Sequence, residues 1–134
     1  MVSLDSSVII EVVNARSDEL RHRFLDAREG GEAFVVSSVV LHEVVYGAQI
    51  SQRPIYQRQA IEAVVEGLNV EPFTPGDAIE AAQVRAELKQ LGQPIGGLDT
   101  LIAGQARARG WSVATANIKD FTRVPNLVVQ DWTP

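Results

Sequence analysis

Ala33-Phe34-Val35-Val36-Ser37-Ser38 is the stretch on which the fold of this 134-residue chain turns. An unbroken apolar run suits a strand covered on both faces, as in a parallel sheet; a half-solvated strand would alternate. Ser37 or Ser38 then offers a hydroxyl to cap a following helix, expected to run to about Ile50. Upstream, Gly30-Gly31 ends a charged helix from Asp18 to Arg28, with Leu20, Phe24 and Leu25 on one side. Further back, Val2-Leu4 reads as a short strand ending in Asp5. Ser6 to Asn14 reads as a helix that Val8, Ile9, Ile10, Val12 and Val13 wrap in apolar surface.

Downstream, Pro54 opens a helix to about Gly67. Val70-Glu71-Pro72-Phe73 is a weak strand, placed at a sheet edge by its proline. Thr74-Pro75 opens a helix through Leu91, stopped by Gly92 and Pro94. Leu98 to Arg109 is a further helix ending at Gly110, and Trp111–Thr115 and Leu127–Val129 are strands. Strands alternating with helices predict an α/β domain with a mainly parallel central sheet of four or five strands flanked by helices. Ligands of such sheets sit outside the carboxyl ends of the strands. Asp5 and the Thr115-Asn117 turn are therefore positional candidates before any chemistry is considered.

Composition narrows the function classes. The length suits a single domain over 1–134, and 46% hydrophobic residues can build a core without staples. With no cysteine there is no disulfide, thiolate metal site or cysteine nucleophile. No secretory signal or membrane-spanning stretch is visible, which points to the cytoplasm. The net charge of −5 is wrong for a non-specific nucleic-acid binder. Any nucleic-acid role must rest on a local patch, on a metal or on selectivity.

Three acids lie in apolar settings without a basic neighbour at helical spacing. Asp5 lies between Leu4 and Val8; Glu43 has Val39, Val40, Tyr46 and Gly47 one turn away; Asp99 has Ile95, Gly96, Ile102 and Ala103. Asp26, with His22 and Arg23 one turn behind it, is the ordinary case. Taken alone, each of the three has a structural explanation: a helix cap for Asp5, an exposed stripe edge for Glu43, a favourable helix start for Asp99. Asp120 reads by itself as a turn residue. If the three converge, their mutual repulsion demands a cation. An all-oxygen site would suit Mg2+ or Mn2+. His22 and His42 are too few for a zinc site and are expected to be structural.

The stretches around these acids, taken in order, carry a resemblance. Val2-Ser3-Leu4-Asp5-Ser6-Ser7-Val8 resembles the opening of PIN domains. Ser37 through Gly47, with Glu43 on a helix, is similar to their second motif. Pro94-Ile95-Gly96-Gly97-Leu98-Asp99-Thr100-Leu101-Ile102-Ala103 is similar to the third, and Thr115-Ala116-Asn117-Ile118-Lys119-Asp120-Phe121 to the fourth; Leu127 to Trp132 matches the closing strand. The closest subgroup is the VapC toxins of toxin–antitoxin pairs. The sequence departs from that pattern at Ser7, where asparagine is common, and at Gly104-Gln105. Gly104 inside a helix costs about 1 kcal/mol against alanine.

The resemblance implies a Mg2+- or Mn2+-dependent endoribonuclease that hydrolyses RNA phosphodiester bonds through a water activated by metal. Asp5, Glu43 and Asp99 would hold the metal. Asp120 or Asn117 would complete the shell, and Ser6 and Thr115 would orient water or phosphate. It also implies a small cognate antitoxin of VapB type, a homodimer and a toxin–antitoxin hetero-oligomer. The apolar Ser6–Asn14 helix, with Leu20, Phe24 and Leu25, is expected to form the antitoxin's groove. Arg85, Lys89, Arg107, Arg109, Lys119 and Arg123 are candidate RNA-binding cations. A PIN nuclease of housekeeping RNA processing and a catalytically inactive PIN scaffold are the alternatives within the family. A receiver domain lacks its adjacent acidic pair beside Asp5. A dehalogenase-type phosphatase would need a second aspartate where Ser7 stands, and a dinucleotide-binding module lacks its glycine-rich turn.

Overall fold

The computed structural model describes residues 1–14 and 18–134. Its elements run β1 (Val2–Leu4), α1 (Ser6–Asn14), α2 (Asp18–Glu29), β2 (Phe34–Ser37), α3 (Ser38–Gln49), α4 (Pro54–Val65), β3 (Asn69–Glu71), α5 (Pro75–Gln90), α6 (Gly97–Arg109), β4 (Ser112–Thr115), α7 (Ile118–Phe121) and β5 (Val129–Asp131). The strands form one five-stranded sheet in the order β3-β2-β1-β4-β5, with parallel neighbours throughout. The predicted α/β fold is the observed one.

Burial follows the strand patterns. All four residues of β2, Phe34 to Ser37, are buried, as an interior parallel strand requires. β3 is an edge strand, and Pro72 directly follows it. β5 begins at Val129 rather than Leu127 because its register is set by pairing Val113 with Val129 and Thr115 with Asp131. Trp132 beyond it is 2% exposed, packed edge-on against Phe34 and covered by the Arg23 guanidinium 4.3 Å from its ring centroid.

The helix starts have distinct chemistries. The Ser37 hydroxyl accepts from the Val39 amide and caps α3, while Ser38 Oγ accepts from the Phe73 amide. Thr74 and Asp77 form a reciprocal capping box on α5. Asp77 is buried, and Arg109 donates to both of its oxygens. That arginine holds the Asp77 carboxyl below its ordinary range, against an opposing push from burial. Gly104 lies where α6 crosses α5: a Cβ there would stand 2.4 Å from the Ala81 Cα. Close approach of two helix backbones explains this glycine inside a helix.

Candidate metal centre

The chain order in the sheet sets the location of the site. From β1 the chain builds outward through β2 to β3, then returns to place β4 and β5 on the other side of β1. The direction of winding reverses between β1 and β4, and the crevice beyond their carboxyl ends is the natural ligand position. Asp5 follows β1 there, its amide continuing the ladder to Ala114 O at 3.0 Å. Thr115 ends β4 directly alongside.

Asp5 is 4% exposed, and its carboxylate is held by hydroxyls and an amide. Oδ1 accepts from the Ser6 amide at 2.7 Å, with the Ser6 hydroxyl a longer donor at 3.4 Å. Oδ2 accepts from Ser7 Oγ and from Thr115 Oγ1, both at 2.8 Å. Each hydroxyl is itself oriented by an amide: Ser7 Oγ accepts from Ala116, and Thr115 Oγ1 from Asn117. Asp5 therefore joins two strand ends, beyond its part in starting α1.

α3 and the first turn of α6 deliver the other two acids. Single ligand atoms from Asp5, Glu43 and Asp99 all lie within 4.8 Å of one another. The apolar α3 stripe that surrounds Glu43 leaves its Oε1 buried without a hydrogen-bond partner among the described residues. Burial, then Asp5, then Asp99 push the Glu43 carboxyl up to about 7. Burial, then Asp5, then Asp120 push Asp99 up to about 6. The field of Asp120 therefore reaches Asp99 from α7. Three converging carboxylates with an orphaned oxygen and two raised proton affinities make a donor set suited to a hard divalent cation.

Asn117 is exposed at the start of α7 and makes no side-chain cap; Asp120, on the same short helix, is outside the three-carboxylate group but acts on Asp99 through its charge. In the sequence Asp120 looks like a turn residue because it lies in a four-residue helix, too short for a periodic signal. The principal residue that sequence reasoning undervalues is Ser7, which stood out only as a departure from the family pattern. A hydroxyl two positions after an aspartate is the local signal for its hydrogen bond to Asp5. His22 and His42 are exposed and outside the cluster.

Two other expectations are corrected. Arg107 forms ion pairs with Glu80 and Glu87, each at 2.7 Å, and Arg109 binds Asp77 and Glu71. Both arginines tie α6 to neighbouring elements and are not available to RNA. Leu20 and Phe24 are core residues, 1% and 3% exposed, so they cannot line a partner's groove. The apolar cleft lies instead between α1, α3 and α4, lined by Ile10, Val13, Val44, Ala48 and Ile61.

A family model of the PIN domain matches residues 2–127. The chain is 36% identical over 130 residues to the tRNA(fMet)-specific endonuclease VapC of Shigella flexneri, covering 97% of this chain and 96% of that protein. It is 30% identical over 129 residues to Ribonuclease VapC2 of Rickettsia felis, covering 96% of each. Among solved structures, it matches VapBC2 from Rickettsia felis bound to a promoter DNA fragment with a TM-score of 0.91 at 28% identity, over 98% of this chain and 99% of that one. DNA-bound VapBC from Salmonella typhimurium matches with a TM-score of 0.89 at 33% identity, over 98% and 97%. With sequence and fold agreeing over nearly the full length, the chain belongs to the PIN-domain family, in its VapC ribonuclease branch.

Proposed function

We propose that this chain, a single PIN domain over 1–134, is a divalent-metal-dependent endoribonuclease and the toxin half of a VapBC-type pair. The observation that carries the proposal is the convergence of Asp5, Glu43 and Asp99 at the winding reversal of the sheet. Asp5, Glu43 and Asp99 would hold Mg2+ or Mn2+, with Asp120 completing the acidic set. When bound, the cation supplies Lewis-acid chemistry, neutralising charge on the scissile phosphate and lowering the pKa of a water. The Ser7 and Thr115 hydroxyls fix the orientation of the Asp5 carboxylate.

The substrate is RNA. The name of the Shigella relative makes an initiator tRNA the first substrate to try. The partner is a small antitoxin of VapB type, a reading supported by the neighbours named above, which are VapBC assemblies; the expected assembly is a toxin homodimer within a toxin–antitoxin hetero-oligomer. The test is cleavage of an initiator tRNA transcript with Mg2+ or Mn2+ and with EDTA. Undiminished cleavage in EDTA refutes the metal assignment. Absence of cleavage across tRNA and mixed RNA substrates, by protein that binds the cation, refutes the nuclease.

A further inference from the structure

α5 segregates its charges. Glu80 and Glu87 pair with Arg107, and Asp77 with Arg109, so these acids are turned to α6 and neutralised. Arg85 and Lys89, one turn apart on the same helix, are exposed and make no ion pair among the described residues. They line a cavity of about 430 Å3 together with Leu88, Pro94, Ile95, Gly97 and Thr100. Gly97 and Thr100 belong to the first turn of α6, the turn that carries Asp99. An otherwise acidic protein thus places two uncompensated cations over a cavity that shares the first turn of α6 with Asp99.

We propose that this cavity is a subsite for the RNA backbone: Arg85 and Lys89 engage a phosphate next to the one being cleaved and set the strand's position along the α5–α6 wall. The proposal rests on the nuclease reading and adds where the substrate's flanking charge is held. It resolves the charge problem locally. A chain with a net charge of −5 repels a polyanion at long range, so binding needs cations close to the reacting bond. Of the six candidate cations, Arg107 and Arg109 are consumed in ion pairs, Arg123 donates to the Pro94 carbonyl, and Lys119, exposed and without an ion pair among the described residues, does not line this cavity. Arg85 and Lys89 combine freedom from ion pairs among the described residues with a cavity walled by the α6 turn that carries Asp99. The apolar floor of Leu88, Pro94 and Ile95 suits a ribose or base edge between phosphates and carries no base-specific donor.

The experiment compares full-length protein with Arg85→Gln, Lys89→Gln and the double variant on a labelled single-stranded RNA. Arg58→Gln on α4, already paired with Glu62, is the control. KM and kcat are read with Mg2+ at several salt concentrations. Affinity is read separately by fluorescence anisotropy with Ca2+ in place of Mg2+. The double variant should raise KM and Kd about 10-fold, change kcat less than 2-fold, and affect all RNA sequences alike. Its plot of log affinity against log salt should flatten by about 0.7 for each phosphate that is no longer neutralised. Arg85→Lys and Lys89→Arg should restore most of the affinity. Unchanged Kd and salt slope in a folded double variant overturn the subsite. If wild type binds RNA but never cuts it, the nuclease reading falls, and the anisotropy series still decides the subsite.

Discussion

The Thr115 hydroxyl donates to Asp5 Oδ2 at 2.8 Å, joining residues 110 positions apart across the carboxyl ends of β1 and β4. Ser7 donates to the same oxygen from the start of α1. Asp5 is buried, so each donor matters: a hydrogen bond to a carboxylate contributes about 1.5–3 kcal/mol. Thr115→Val keeps the shape and removes the hydroxyl. It should destabilise the protein by about 1–3 kcal/mol in urea unfolding and weaken Mn2+ binding in calorimetry. Ser7→Ala should act in the same direction. If Thr115→Val leaves both stability and metal affinity unchanged, the hydroxyl does not orient Asp5.

The cluster makes a signed pH prediction for metal-free protein. Glu43 is raised from 4.5 to about 7 and Asp99 from 3.8 to about 6, so the folded state holds more protons than the unfolded chain between those values. Their contribution to stability is present at low pH and is lost as pH rises through about 6 to 7. In EDTA, the melting temperature should fall between pH 5 and pH 8, and Glu43→Gln should flatten that fall. Excess Mn2+ should reverse the trend, because the metal competes with the protons. A melting temperature in EDTA that rises across this interval contradicts the assignment.

Much of this is legible in the sequence, for identifiable reasons. Val35 and Val36 announce an interior parallel strand because both faces of β2 are covered. The acids stand out because Asp5, Glu43 and Asp99 lack basic neighbours one turn away, which is a local property. What fails depends on distant residues. Arg107 and Arg109 look like free cations because Glu80, Glu71 and Asp77 lie on other elements. The span of β5 is misjudged because pairing with β4 fixes it, and the apolar run Leu127–Val129 overlaps it by one residue. Leu20 and Phe24 look available to a partner because amphipathicity shows which face is apolar but not what covers it.

Gly104 reads in the sequence as a defect, and α5 makes it a requirement. Alanine favours a helix by about 1 kcal/mol over glycine. At this position its Cβ would stand 2.4 Å from the Ala81 Cα and 2.7 Å from the Ala81 nitrogen, both backbone atoms that cannot turn aside. Gly104→Ala should therefore destabilise by about 1–3 kcal/mol net of the helix gain, in the range of overpacked cores. Because α6 also carries Asp99, cleavage should fall in proportion to the displaced helix. A stabilised Gly104→Ala protein would mean that α5 and α6 separate more readily than their packing suggests.

Removing one clustered charge separates activity from stability. Asp99→Asn relieves repulsion on Glu43, whose raised proton affinity has Asp99 among its causes. In EDTA at pH 8 the variant should melt at or above the wild-type temperature, while RNA cleavage with Mg2+ should drop at least 100-fold. Asp5→Asn should lose cleavage similarly, but should gain less stability because its carboxylate is also a hydrogen-bond acceptor for Ser7 and Thr115. Cleavage within 3-fold of wild type in either variant would remove that residue from the metal set.

If the proposed antitoxin docks through an apolar helix, the apolar residues that the fold leaves open predict where. Leu20 and Phe24 are sealed in the core, whereas Ile10 on α1 is 40% exposed at the rim of the cleft with α3 and α4. A cleft of about 290 Å3 lined by Ile10, Val13, Val44, Ala48 and Ile61 accepts a few apolar side chains from an amphipathic helix. Glu43 lies on the same α3 that walls the cleft, one turn before Gly47, so a bound helix that continued past the cleft would reach the acids. An arginine or lysine there could take the cation's place. Expression of the chain alone should arrest growth, and co-expression with a VapB-type antitoxin, sought in the neighbouring gene, should restore growth. Ile10→Glu puts a charge at the rim without disturbing the core, so it should leave toxicity intact and break neutralisation. Leu25→Glu, equally exposed on α2 at 42%, should leave both intact. Neutralisation that survives Ile10→Glu but fails with Leu25→Glu would move the partner to α2. Normal growth on expressing active protein alone would count against the toxin role.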